Sequence, residues 1–242
     1  MRGLLLFCAL CSAFAASAET LRIGFGTDKP PYIFEAERRG LELEIVVEAA
    51  KRAGITVEPF FAPLERLHYM QERGELDGIA TTRPQSGLKA FFSRPYIEYH
   101  NVAAALAERH LEIKTIADLG KYSVSAFQRA RKMLGPEFEA MAAKNPAYRE
   151  EAQQIARNRL LFGGRVDVII GDRRIIEHFT GSISRQIDVH KAVTWYEIFP
   201  STPYHVGFRD DAVRHRFDQG LSLLRKSPDY EAIEKRYQRP VK

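Results

Sequence analysis

Short apolar runs alternate with segments of helical spacing along nearly the whole chain, and this rhythm limits the fold more than any other feature. "LRIGFG" (21–26) alternates apolar residues as a strand does. Behind it, Ile45, Val46, Ala49, Ala50 and Ala53 recur at helical spacing, with Gly54 as the stop. "ITVEPFF" reads as a second strand, "LERLHYMQERG" as a short helix closed by Gly74, and "LDGIATT" as a third strand. Such a series builds a parallel-sheet α/β lobe. A second series starts near "NVAAALAE". "IADLGKYSVSAF" gives a short helix and a strand, "REEAQQIARNRLLFGG" a helix, "RVDVIIGD" a buried strand and "RRIIEHF" another helix. "YHVGFRDD" then returns as a strand, and "AVRHRFDQGLSLLRKS" and "YEAIEKRYQ" close the chain as amphipathic helices. No repeat, low-complexity tract or Pro/Gly-rich linker separates the two series, so two α/β lobes in one bilobal body are expected.

Ligands of open α/β sheets sit beyond the carboxyl ends of the strands. Those ends are the loops "GTDKPPY", "TTRPQSG", "SAFQRAR" and "IIGDRR", which carry the residues most suited to function. The first holds Asp28, Pro30, Pro31, Tyr32 and Phe34 on one short turn that core packing alone does not require. Two prolines lower the loop's freedom, so less entropy is lost when a ligand docks. Asp172 ends an apolar strand, where its carboxylate either reaches a cleft or caps the following helix.

The chain opens with a positive Arg2, an apolar run and the small-residue site Ala16-Ser17-Ala18 before Glu19, the three-part layout of a secretory signal. The run is short for a membrane anchor. Neither Cys8 nor Cys11 has a small residue before it, as lipid attachment would need. Both cysteines fall in this leader (1–18), so the exported chain must hold together without disulfides. Lys and Arg number 36 against 31 acids, a formal charge of +5, and are scattered. Nucleic-acid binding is not expected, and a weak preference for anionic ligands is.

In order and spacing these pieces resemble the family 3 extracellular solute-binding proteins, the type II periplasmic receptors typified by polar amino acid importers. The similarity rests on Asp28, Pro30, Pro31 and Tyr32 after the first strand, and on Gly40, Glu42 and Glu44 at the start of the first helix. It continues through "GELDGI" (74–79), "FSRPY" (92–96), "IADLGKYSV" (116–124), "LLFGGRVDVIIGD" (160–172) and the closing strand and helices. The resemblance implies the two-lobed type II periplasmic binding protein fold, each lobe a mostly parallel sheet flanked by helices. Lobe one would comprise residues 19–100 and 206–242 and lobe two 101–205, with crossovers near Tyr99–Val102 and Tyr204–Gly207. It also implies a monomeric periplasmic receptor without metal or cofactor, closing on a small polar ligand and delivering it to an ABC transporter permease.

For the site, the resemblance implies that Tyr32 walls the cleft with Phe34 behind it, unless both rings pack inward, and that Asp172 pairs with a ligand amine. The family's carboxylate-binding Arg has no counterpart. Ser86 stands at its count in the shortened "TTRPQSGLKAFFS", and Arg83, beside Thr81 and Thr82, is the substitute unless it is a solvated loop residue. "SAFQRAR" replaces the family's Gly-Thr pair and offers Ser125, Phe127 and Arg129. Glu65 and Arg66 read as a surface salt pair and Trp195 as a packing residue. The same fold carries sensors and cyclohexadienyl dehydratases. The chain has no Gly-x-Ser-x-Gly elbow, no His-Glu-x-x-His site and no clustered histidines. A dehydratase needs only one placed acid, for which Glu98 and Asp172 are open.

Overall fold

The computed structural model describes residues 19–237; the expected leader, 1–18, lies outside them. Alternation along β1 (Glu19–Phe25) turns Leu21, Ile23 and Phe25 into the core. β1 pairs in parallel with β2 (Ile55–Phe61) on one side and β3 (Gly78–Thr82) on the other. α1 (Leu41–Arg52) buries Leu43, Ile45, Val46, Ala49 and Ala50, and α2 (Leu64–Glu72) buries Leu67 and Met70. Two short strands follow, β4 (Phe91–Phe92) and β5 (Ile97–Tyr99).

The chain then crosses into a second sheet through β6 (Asn101–Leu106), all of whose residues are buried. That sheet runs in the order β10–β6–β9–β7–β8, with β7 (Val124–Phe127), β8 (Tyr148–Glu151), β9 (Val168–Asp172) and β10 (Val193–Tyr196). Its helices are α3 (Ala130–Met133), α4 (Pro136–Lys144), α5 (Gln154–Phe162) and α6 (Arg173–Ile183). On α6 the stripe Ile175, Ile176, Phe179 and Ile183 faces inward, as an amphipathic helix on a sheet requires. β11 (Thr202–Phe208) leads back to the first sheet, and α7 (Asp211–Arg225) and α8 (Pro228–Tyr237) pack on α1.

Both sheets are mixed rather than nearly all parallel. β7 is parallel to β8 and β9, whereas β6 is antiparallel to β9 and β10, and β11 is antiparallel to β3, β4 and β5. The antiparallel members are the strands that enter each lobe from the other. They start where the parallel strands end, with Asn101 beside Asp172 and His205 beside Thr82, and so must run the opposite way. The start of β11 pairs with β5, Thr202 with Tyr99 and Tyr204 with Ile97, so the segment leading to the expected return crossover at Tyr204–Gly207 runs beside the first one at Tyr99–Val102. Asn101 Nδ2 donates to Thr202 Oγ1 at 3.1 Å between these two segments, and pairing of β11 with β3 begins at His205.

A second difference concerns "REEAQQIARNRLLFGG". Its first residues form strand β8, and the helix begins only at Gln154. Parallel pairing with β7 overrides local helical preference, and Glu150 receives the backbone N–H groups of Arg129 and Arg131 at 2.6 and 2.9 Å.

α2 also buries His68. Burial first, and the Arg129 charge second, lower its imidazole to about 4. The folded state therefore keeps His68 neutral where the unfolded chain, near 6.5, takes up a proton. Stability is fully present above that value and falls as pH drops toward 4. Urea unfolding at pH 7 and pH 5 should show a loss of about 2 kcal/mol in the native chain beyond that of His68→Gln.

Candidate functional site

The carboxyl ends of β1, β3, β7 and β9 meet between the two lobes around one cavity of about 30 Å³, room for a water or two. Lys29, Thr81, Tyr99 and Tyr204 line it from the first lobe. Asn101, Phe127, Met133, Arg157, Asp172 and Ile175 line it from the second.

The first-lobe wall is built around a buried ion pair. Lys29 Nζ lies 2.8 Å from Glu42 Oε2, with the two side chains 5% and 0% exposed. Thr81 Oγ1 sits between them, bonded to Lys29 Nζ and donating to Glu42 Oε1. Tyr96 and Tyr99 donate to the two oxygens of the same carboxylate at 2.7 and 2.5 Å. Burial opposes charge on both partners. Lys29 is pushed below the ordinary lysine value despite Glu42, whereas the Lys29 charge and the donated hydrogen bonds outweigh burial at Glu42 and hold its carboxyl below the usual range. Thr81 adopts φ +54°, a left-handed conformation rare for a β-branched residue, and its N–H reaches Tyr96 Oη at 2.9 Å.

Gly40 makes this arrangement possible. It has φ +143°, and a Cβ there would lie 2.1 Å from the Tyr32 carbonyl oxygen. Tyr32 N–H donates to the Lys29 carbonyl, and the Tyr32 carbonyl receives Glu42 N–H. The loop after β1 is thus tied to the first turn of α1. Asp28 Oδ1 braces the loop by accepting Glu35 N–H at 2.7 Å.

The second-lobe wall centres on Asp172, the N-cap of α6. Its Oδ1 accepts from the N–H groups of Arg174 and Ile175 at 2.9 and 3.3 Å, and its Oδ2 from His100 N–H at 2.9 Å and Tyr32 Oη at 3.1 Å. All four donors are neutral. Burial outweighs them and raises the carboxyl above its ordinary value. The cap and cleft readings of Asp172 are therefore compatible in one side chain. Behind Asp172, α5 brings Arg157, 1% exposed, to the cavity. Its Nη1 donates to the Ile170 carbonyl at 2.6 Å and its Nη2 to Gln154 Oε1, while Nε has no partner.

The family model of bacterial extracellular solute-binding proteins, family 3, matches residues 21–240. The chain belongs to this family. A search of curated protein sequences returned no match. Among solved structures, an ancestral arginine-binding protein bound to arginine is similar at 18% identity and TM-score 0.75, covering 91% of this chain and 99% of that one. A histidine kinase sensor domain with similarity to periplasmic binding proteins aligns at 19% identity and TM-score 0.76, over 91% of this chain and 96% of its own. The arginine-, lysine-, histidine-binding protein ArtJ from Geobacillus stearothermophilus aligns at 18% identity and TM-score 0.73, over 92% and 97%. At these identities the likeness concerns the fold: the two-lobed type II periplasmic binding protein architecture.

In this solute-binding protein the expected site residues separate into three groups. Thr81, Phe127 and Asp172 line the cavity. Tyr32 touches it indirectly. The ring is 2% exposed, stacks on Tyr99 with centroids 4.0 Å apart and reaches Asp172 through its hydroxyl, so the inward-packing alternative describes it. Ser125 is fully buried with no hydrogen-bond partner for its hydroxyl, and Thr82 bonds Ser86 at 3.0 Å. Phe34 turns away, packed on His178 and Tyr237.

Arg83 and Arg129 stand outside the cavity and tie the lobes together. Arg83 Nη1 donates to the Met133 carbonyl at 2.7 Å. Arg129 Nη1 pairs with Glu65 and its Nη2 donates to the Ser86 carbonyl, both at 2.8 Å. Glu65 therefore pairs across the lobes with Arg129. Glu98 is exposed and bonded to Ser201 at 2.6 Å, while Trp195 packs beneath the Arg173 guanidinium at 4.8 Å.

Lys29, Tyr99, Asn101, Arg157 and Tyr204 escaped the sequence reading. For Arg157 a signal existed. Gln154, Arg157, Asn158 and Leu161 share one helical face by their spacing, so a polar strip continues the buried face of α5.

Two outcomes are expected. Glu42→Gln should cost about 3 kcal/mol or more, because Lys29 loses its buried counter-ion, and Lys29→Met/Glu42→Gln should cost less; urea denaturation compares the two. Arg83→Ala/Arg129→Ala, which removes the bonds between lobes, should raise the radius of gyration of the unliganded protein in small-angle X-ray scattering.

Proposed function

We propose that this protein is a monomeric periplasmic receptor for a small, polar, carboxylate-bearing molecule of amino acid type, which it captures by hinge closure and hands to an ABC importer in the inner membrane. The observation that carries the reading is that both lobes line one cavity. A ligand held there contacts both walls only in the closed form, and this differential contact shifts the hinge equilibrium. The cavity of about 30 Å³ is far below the roughly 300 Å³ of small ligand pockets, so the lobes must part to admit cargo and reclose less tightly around it. Asp172 supplies a carboxylate with no cation bonded to it, suited to an ammonium group. The solved relatives that bind arginine, lysine or histidine favour the same class.

A second reading, an exported dehydratase of a cyclohexadienyl acid, draws on Asp172 alone, whose raised carboxyl is the form a general acid uses. Thermal unfolding against amino acids, opines, polyamines, dicarboxylates and cyclohexadienyl acids separates the two, after denaturation and refolding to strip carried-over ligand. Cargo at a hundred times its dissociation constant adds about 2.7 kcal/mol, a rise of roughly 5–10 °C. Cells lacking the protein should lose uptake of the ligand that gives the shift. Asp172→Asn keeps the helix cap and should weaken ligands bearing an amine at least tenfold, with amine-free carboxylates unaffected. A flat panel overturns the receptor reading, and turnover of a cyclohexadienyl acid favours the enzyme.

A further inference from the structure

Among the described residues, Lys29, Arg83 and Arg129 each bond a carboxylate or reach a group of the opposite lobe, whereas Arg157 bonds only neutral oxygens of its own lobe. Lys29 is paired with Glu42. Arg83 holds the Met133 carbonyl, and Arg129 holds Glu65 and the Ser86 carbonyl. Arg157 differs. It is the largest of the fully buried side chains, and no carboxylate oxygen lies within 4 Å of it among the described residues. Two of its five N–H donors are engaged by neutral oxygens, and Nε–H, though buried, has no partner.

The surroundings are shaped to it. A Cβ on Gly171 would stand 2.7 Å from Arg157 Nη1, so a side chain beside Asp172 would displace the guanidinium from its present place. The Phe127 ring lies 5.9 Å from the guanidinium carbon, near enough for a weak cation–π contact. Burial lowers Arg157 to about 10, which still leaves it charged at neutral pH. Asp172 and Glu151 raise it against that burial, but neither forms an ion pair with it. A buried charge without a bonded counter-ion is costly, and the cost falls when an incoming anion supplies the bond.

We infer that Arg157 is the anion-reading group of the cleft, receiving the ligand's carboxylate beside Asp172, so that lobe two reads both charged ends of an amino acid. This assignment rests on the receptor reading above and replaces Arg83 in the role expected for it. Lobe one, whose own charges cancel in the Lys29–Glu42 pair, then closes as a neutral, tyrosine-rich cover. A zwitterion is the complement of such a site: one cation and one anion on lobe two, each lacking an oppositely charged bonded partner.

The test measures binding of the twenty L-amino acids and their carboxamides to the native protein and to Arg157→Gln, Arg157→Met and Arg83→Ala by calorimetry. Thermal shifts with formate and acetate, against chloride at equal ionic strength, run in parallel. The native protein should prefer at least one amino acid over its carboxamide by a hundredfold or more. Both Arg157 variants should lose most of that preference, and Arg83→Ala should keep it. Arg157→Gln keeps a polar N–H at about the place of Nε, and far-UV circular dichroism of both variants guards against one that fails merely through misfolding. Retention of the acid-over-amide preference in the Arg157 variants overturns the assignment. If no amino acid binds but formate or acetate stabilises the native protein and not Arg157→Gln, the amino acid reading falls and the anion site stands. If neither probe acts on the native protein, both fall.

Discussion

The buried Lys29–Glu42 pair is the interaction on which the cleft depends. It joins the loop after β1 to the first turn of α1, and through Thr81, Tyr96 and Tyr99 it draws in the end of β3 and the first crossing between lobes. A buried ion pair gives little net stability compared with an apolar core. Its worth here lies in direction. A carboxylate receiving donors from four side chains on three segments allows few arrangements of those segments, and this fixes Tyr99 as the surface on which Tyr32 stacks.

From that fixed wall the chemistry of the opposite one becomes intelligible. Asp172 closes β9 and caps α6, so its backbone is held by the sheet and its carboxylate by the helix it starts. Tyr32 reaches across from lobe one to the same carboxylate, which makes the cleft's two walls touch through a neutral hydroxyl. Under the receptor proposed above, a ligand ammonium entering here would have to displace that contact. In that proposal closure without cargo competes with closure around it, and selectivity would come from the difference between the two sets of bonds.

Outside the cavity, Arg83 and Arg129 hold the lobes by direct contact. Their bonds are made largely to backbone carbonyls and to a half-exposed glutamate, interactions of modest strength near solvent. Such bonds hold the lobes together only weakly, as the proposed hinge closure requires. The fold itself serves several ends. The similar solved structures include a sensor domain of a histidine kinase as well as amino acid-binding proteins, so the fold alone does not select one role.

The sequence by itself determined the alternation of strands and helices, the family, the loops at the strand ends, and Asp172 as both strand end and helix cap. These follow from local periodicity and from short-range rules, which need no knowledge of partners across the chain. Only the tertiary structure decided which side chains from those loops face the cavity. Arg83 looked like the anion reader because it sits beside Thr81 and Thr82 at a strand end, yet the register of α3 against that loop gives it the Met133 carbonyl. Arg157 looked like one polar residue in a helix, yet the packing of α5 on β9, with Gly171 opposite, brings it to the cleft. "YREE" carries helical composition, but the free edge of β7 turns it into a strand. In each case the deciding term is a contact between residues distant in sequence or a non-local pairing, and no local pattern encodes its energy.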